Sequence, residues 1–438
     1  MTASTEPAPQ AAPPDESIGG RASKAVRATE VDTRFLGMIG ALALIWIGFQ
    51  IATGGDFLTA RNLWNLSVQF SAVAVMATGM VLVIVTRNID LSVGSLVGFL
   101  AMIMGVLQAE IIPDFLGFDN PFTWIIALGA GLALGGLIGA FQGSLVAYAG
   151  IPAFIVTLGG LLVWRGGAWW VTQGRTVSPM DSNFQLLGGG ARGSMGDTLS
   201  WIVAILACLA ILAFIVYNRR RRIKFGFPLR PVWAEVLIGA LGCGLVLIAT
   251  WIANSYPWPR GLASQYAQDN NIVEPEGGLI IAHGIANPVV IMVIVALVVA
   301  FVANRRKFGR YVYAIGGNPE AAVLSGINTR WTIVKVFILM GVLAGVASAI
   351  ITARLNAATN GTGELAELQV IAAAVIGGTS LSGGVGTIAG AVLGALVMQS
   401  LRNGMGLMGV DAPLQSIVVG VVLVVAVGLD AFYRRRAQ

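Results

Sequence analysis

From about residue 35 to its end, the chain alternates long apolar runs with short polar segments. Runs at 35–52, 66–86, 91–108, 123–148, 151–172, 200–217, 232–253, 286–303, 332–352, 366–380, 385–401 and 414–432 approach the roughly 20 residues that a helix needs to cross a bilayer. Inside a membrane the backbone must satisfy its own hydrogen bonds, so such runs are helices. The pattern predicts an all-α, polytopic membrane helix bundle of about twelve spans. Residues 200–253 stand out as a separable hairpin, two apolar runs joined by Arg219, Arg220, Arg221, Arg222 and Lys224.

One polar island, Asn304–Arg330, carries the marks of a short helix of its own. Asn318 is suited to the N-cap and Pro319 to the first helical position, Glu320 faces the positive end of the dipole, and Gly326 is the stop. A helix of about two turns is unstable alone in water. One that presents Ala321, Ala322, Val323 and Leu324 therefore needs a partner to lie in.

Composition agrees with the pattern: 56% of the 438 residues are hydrophobic and 11% charged, against about 25% charged in soluble proteins. Residues 1–34 mix Ala, Pro and Glu with a few basic residues and contain no apolar core. They read as a disordered tail and not as a signal peptide. With that tail in the cytoplasm, twelve crossings put 19 of the 27 Lys and Arg on the cytoplasmic side and four on the other, the asymmetry of the positive-inside rule. Both termini are then cytoplasmic. The net charge of +6 has this topological cause, so it does not point to nucleic acid.

Small residues fall in register in two spans. Ala127, Gly131, Gly135, Gly139, Gly143 and Ala147 recur every fourth residue, as do Gly386, Gly390 and Gly394, which predicts close helix packing. Two further segments, Thr86–Ser95 and Gly377–Gly384, interrupt the apolar pattern with Gly, Ser, Thr and Asn. Freed backbone groups at membrane depth are tolerated only in protein or beside water. Asn88, Asp90, Ser92, Thr379 and Ser380 are therefore candidates for the wall of a pathway, with Arg165, an intramembrane charge, as a sixth. The plainer alternative is two tight turns, with Asp90 capping the next helix.

No constellation suggests catalysis, a metal site or a cofactor. The single histidine, His283, falls in a polar loop and is expected to be solvated; Cys208 and Cys243 lie in apolar runs as small hydrophobes. Gly383-Gly384 is followed by Val385-Gly386-Thr387 and not by Lys, so no phosphate-binding loop is present.

Three motifs in order, Asn88–Gly94, Tyr313–Ala322 with Ser325–Ile327, and Gly377–Gly384, resemble the membrane subunits of bacterial ABC importers for monosaccharides, the ribose, xylose, arabinose and galactose permease group. The likeness runs from about residue 35 to the C-terminus. It implies a transport subunit without enzymatic activity, a homodimer in the cytoplasmic (inner) membrane, with a separate ATP-binding subunit below and a soluble sugar-binding protein above. The family's coupling helix maps onto Asn318, Pro319, Glu320, Ala321, Ala322 and Gly326, within a cytoplasmic loop 304–330. The family has ten spans, so the hairpin at 200–253 is an insertion that looks most like the xylose branch, with D-xylose the leading substrate. A twelve-span secondary facilitator is the alternative; it lacks a reason for the capped helix at 318–326, and no chain of intramembrane carboxylates is evident for ion coupling.

Overall fold

A computed structural model describes residues 33–117 and 120–437; residues 1–32, most of the expected tail, lie outside it. Among the described residues nine helices are long and apolar enough to cross a membrane, and no strand is present. In chain order the first are α1 (Thr33–Ala52), α2 (Ala60–Val85), α3 (Val93–Leu116), α4 (Thr123–Ala147), α5 (Ala153–Thr172), α6 (Gly196–Lys224) and α7 (Val232–Asn254). A surface helix α8 (Arg260–Asp269) precedes α9 (Asn287–Arg305), the polar island holds α10 (Lys307–Gly317) and α11 (Pro319–Leu324), and α12 (Thr329–Leu355) is the ninth long span. The last three expected crossings are α13 (Ala366–Ile376), α14 (Ile388–Leu407) and α15 (Ala412–Ala437).

α13 is shorter than the apolar run from which it was expected. Gly378 takes a left-handed φ of 86°, which releases the chain from the helix, and 11 residues rise only about 16 Å. That is roughly half a hydrocarbon core. α8 was not foreseen either, because its ten residues carry too little apolar content to signal a helix.

The chain divides into two compact units. One contains residues 203–248, the greater part of α6 and α7. There Arg219 pairs with Glu235 at 2.7 Å, and the Cys208 and Cys243 thiols each lie 3.8 Å from the other's carbonyl oxygen. The other unit, residues 37–202 and 249–438, is built around α2. Nineteen of the 26 residues of α2 are buried, which requires neighbours on all sides; α9, α12, α13 and α14 supply them.

The small-residue stripe of α4 packs within the chain against α12. A Cβ at Gly135 would strike the Gly341 carbonyl, one at Gly341 the Gly135 carbonyl, and one at Gly139 the Phe337 carbonyl. Without a strong hydrophobic drive between helices in lipid, this closeness supplies the dispersion contacts that hold them. The second stripe does the same between α14 and α13, where Gly390 lies against the Gly377 carbonyl and Gly394 against that of Ala373.

Candidate functional site

The short helix in the polar island forms as its caps dictate. The Asn318 side chain accepts from the Ala321 amide at 3.0 Å. Gly326 ends the helix at φ 77°, with its own amide on the Val323 carbonyl at 2.9 Å and the Ile327 amide on that of Ala322 at 3.1 Å. Only Ala322 turns inward; Glu320, Ala321 and Val323 are exposed, and Leu324 is 89% exposed. A Cβ at Gly326 would meet open space, so the glycine is required by its backbone angle and not by a close neighbour.

Behind this helix, α10 gathers both interrupted segments into one junction. Arg87 follows α2 with φ 64°, and its guanidinium donates to the Gly316 and Gly317 carbonyls, each at 2.9 Å. The Gly384 amide donates to the Val85 carbonyl at 3.0 Å. The Tyr313 hydroxyl donates to the Gly386 carbonyl at 2.8 Å, and burial pushes its pKa up, which keeps it a donor. Gly316 has no room for a side chain, since a Cβ would strike the Val85 carbonyl and the Gly384 backbone.

The six nominated residues do not gather into one site. The Asn88 amide donates back to Thr86 at 3.1 Å. Asp90, buried, accepts from the Ser92 amide at 2.8 Å and the Ser92 hydroxyl at 2.6 Å; Ser92 in turn accepts from Gln142 at 3.0 Å. Ser92, not Asp90, is the N-cap residue of α3. Arg165 donates to the Asn360 carbonyl at 2.8 Å, and buried Glu367 lies near both Arg165 and Asp90. Thr379 and Ser380 are buried in the turn after α13, where the Ser380 amide donates to Val385 at 2.9 Å.

A polar cavity of about 560 Å³ opens elsewhere, at the other ends of α2, α12 and α14, and none of those six lines it. α2 contributes Asn62, Asn65 and Gln69; α14 contributes Gln399, Arg402 and Asn403; Arg354, Glu364, Gln369 and Gln415 complete its polar wall. Two amide pairs bridge α2 and α14, Asn62 to Asn403 at 2.9 Å and Gln399 to Gln69 at 3.0 Å. Carboxamides both donate and accept, so the wall can exchange its own hydrogen bonds for those of a neutral, hydroxyl-rich solute. Sequence reasoning missed this site, yet a signal was present. Asn62 and Gln69 are seven residues apart and Gln399 and Asn403 four apart, spacings that put each pair on one helical face.

His283 overturns the expectation of a solvated loop residue: it is 3% exposed. Its ring stacks on Tyr256 at 4.4 Å and 2°, with Trp64 at 4.8 Å. Nδ1 lies 3.0 Å from the Tyr256 carbonyl, and the Trp64 indole donates to the Gly284 carbonyl at 2.9 Å. Burial holds its pKa below the ordinary 6.5. Among the described residues no group of three or more His, Cys, Asp and Glu could hold a metal.

The family model described as branched-chain amino acid transport system / permease component matches residues 62–235 and 229–427. The xylose transport system permease protein XylH of Escherichia coli K12 is 39% identical over 400 residues, 91% of this chain and 92% of the relative. The ribose import permease protein RbsC of the same organism is 33% identical over 390 residues, 88% and 91% of the two chains. The fructose import permease protein FrcC of Rhizobium meliloti is 27% identical over 396 residues, 90% and 85%. No solved structure matches.

Proposed function

We propose its working from the premise that this chain belongs to the permease family of bacterial ABC-type sugar importers: a multi-pass subunit that carries D-xylose inward across the cytoplasmic membrane. The supporting observation is that one set of helices serves both ends. α2 and α14 line the polar cavity with residues 62–69 and 399–403, and their opposite ends meet α10 through Val85, Arg87, Gly384 and Gly386. Over 26 residues, α2 carries a displacement along about 39 Å.

In this reading the cavity faces outward and takes sugar from a soluble binding protein, and the amide pairs are the walls of the pathway. α11 is the coupling helix of the cytoplasmic loop 304–330. Its exposed Ala321, Val323 and Leu324 fit a groove of a separate ATP-binding subunit, and a second copy of the chain completes a homodimer. Both termini lie in the cytoplasm. Asp90, Ser92 and Arg165 support the pathway by fixing the start of α3 and the loop before α13; Asn88, Thr379 and Ser380 shape the turns of the junction. The hairpin at 200–253 is an addition to the ten-helix core, and the sugar crosses without chemical change. Closure of the ATP-binding subunits moves α11, and ligands select between two packings according to their differential contacts.

Ala321→Trp tests this, because Ala321 is exposed and bulk there leaves the fold intact. Pull-down of the ATP-binding subunit and ATP-driven xylose uptake should both be lost, whereas Glu320→Gln, which forgoes a dipole interaction of about 0.3–1 kcal/mol, should be mild. Retention and uptake unchanged in Ala321→Trp would remove α11 from the coupling role. Xylose transport by the chain alone would favour the facilitator.

A further inference from the structure

The cavity carries two guanidiniums, Arg354 and Arg402, against one carboxylate, Glu364, so its wall is positive by one charge. Neither arginine has a hydrogen-bond or ion-pair partner among the described residues. Some other arginines are partnered, Arg175 by Glu110, Arg219 by Glu235, Arg165 by the Asn360 carbonyl and Arg87 by two carbonyls, while exposed ones such as Arg61 and Arg260 have none among the described residues; Arg354 and Arg402 differ from these in lining the cavity. Arg354 stands in the last turn of α12, where the helix dipole favours a cation. Arg402 lies five residues before the end of α14 and gains little from the dipole, so that account covers only one of the two.

A neutral polyol needs hydrogen-bonding groups, which the carboxamides provide, and no net charge. A polar cavity wide enough for a sugar also admits water and small cations, and these would cross with the solute each time the packing changes unless charge opposes them. Fixed positive charge between low-dielectric walls does so, because the field is focused where solvent is thin. We propose that Arg354 and Arg402 form a cation barrier that keeps sodium ions and protons from following the neutral solute. The proposal rests on the reading of the cavity as the sugar pathway. It assigns the two arginines to selectivity against ions and not to the grip on the sugar.

The test uses the complete transporter, permease with its ATP-binding subunit and binding protein, in proteoliposomes. Xylose uptake is followed together with sodium entry and with interior pH during ATP turnover. In the Arg354→Gln, Arg402→Gln double variant the cations that enter per xylose moved should rise roughly tenfold, and the double Lys variant should stay tight. Arg402→Gln alone should shift the leak in the same direction, which covers the case of a double variant that fails to insert. A Gln variant as tight as wild type overturns the barrier, as does loss of uptake in both doubles without a leak, which would make the guanidiniums sugar ligands. Wild-type protein that moves no xylose would instead sink the pathway reading beneath it.

Discussion

At one end α2 and α14 are held together by carboxamides with open space beside them; at the other they meet α10 through glycines pressed against carbonyl oxygens. The cavity end has two amide pairs and two guanidiniums that have no partner among the described residues, around about 560 Å³. At the junction, Gly316 has no room even for a methyl group. Hydrogen bonds between side chains can be exchanged for bonds to a solute at little net change, since each such bond contributes only about 0.5–1.5 kcal/mol. Close backbone packing has no such alternative, because interiors are bistable more readily than they are compressible. A soft end suits a transient guest, and a stiff end suits the transmission of a push.

Bulk at the stiff end should therefore have the largest effect. Gly316→Leu is expected to abolish uptake and lower the melting temperature of the purified protein, since overpacking costs about 1–3 kcal/mol even where side chains can yield. Gly317→Leu, one residue on and with nothing within 4 Å of its Cβ, should leave both near wild type. Equal behaviour of the two would mean that the junction is not stiff.

Arg87 comes next. Arg87→Ala and Arg87→Gly both remove two bonds to carbonyls, but only glycine relieves the left-handed φ of 64°. Each should reduce uptake roughly tenfold, from bonds of about 1.5 kcal/mol, while the ATP-binding subunit is still retained in pull-down. Normal transport by Arg87→Gly would reduce the guanidinium to a passenger on a strained turn.

At the soft end Gln399→Leu should act on the substrate alone. Loss of the pair with Gln69 is expected to raise KM for xylose several-fold, to at most about tenfold, with melting temperature and ATPase retention unchanged. A kcat defect with unaltered KM would transfer Gln399 from the cavity to the moving parts.

The smallest effect is expected at His283. Its folded-state pKa lies below the ordinary 6.5, so its contribution to stability is complete above pH 6.5 and is lost as pH falls below that value, where the unfolded chain takes up the proton first. Melting temperature measured from pH 7.5 to 5 should decline less in His283→Phe, whose ring can keep the stack on Tyr256. Parallel curves for the two proteins would mean that the buried imidazole is protonated as readily as a free one.

Much of this molecule was legible in its sequence wherever the physics is local. A span is apolar because lipid surrounds it, and a helix there satisfies its own backbone; the runs for α1 to α7, α9 and α12 accordingly fall where they were expected. The caps of α11, Asn318 and Gly326, act within eight residues and were readable for the same reason. What the tertiary structure alone decided are meetings between distant segments. Arg87 finds Gly316 at a separation of 229 residues, Gln69 finds Gln399 at 330, and Asn62 finds Asn403 at 341. His283 is buried by Trp64 and Tyr256, which its own loop gives no reason to expect. The same holds for α13, whose apolar run is ended early by a left-handed Gly378. A side chain's type sets which partners it can satisfy, but which of them it meets depends on how the helices pack. That packing is the sum of many weak contacts spread along the whole chain, and no single stretch of sequence contains it.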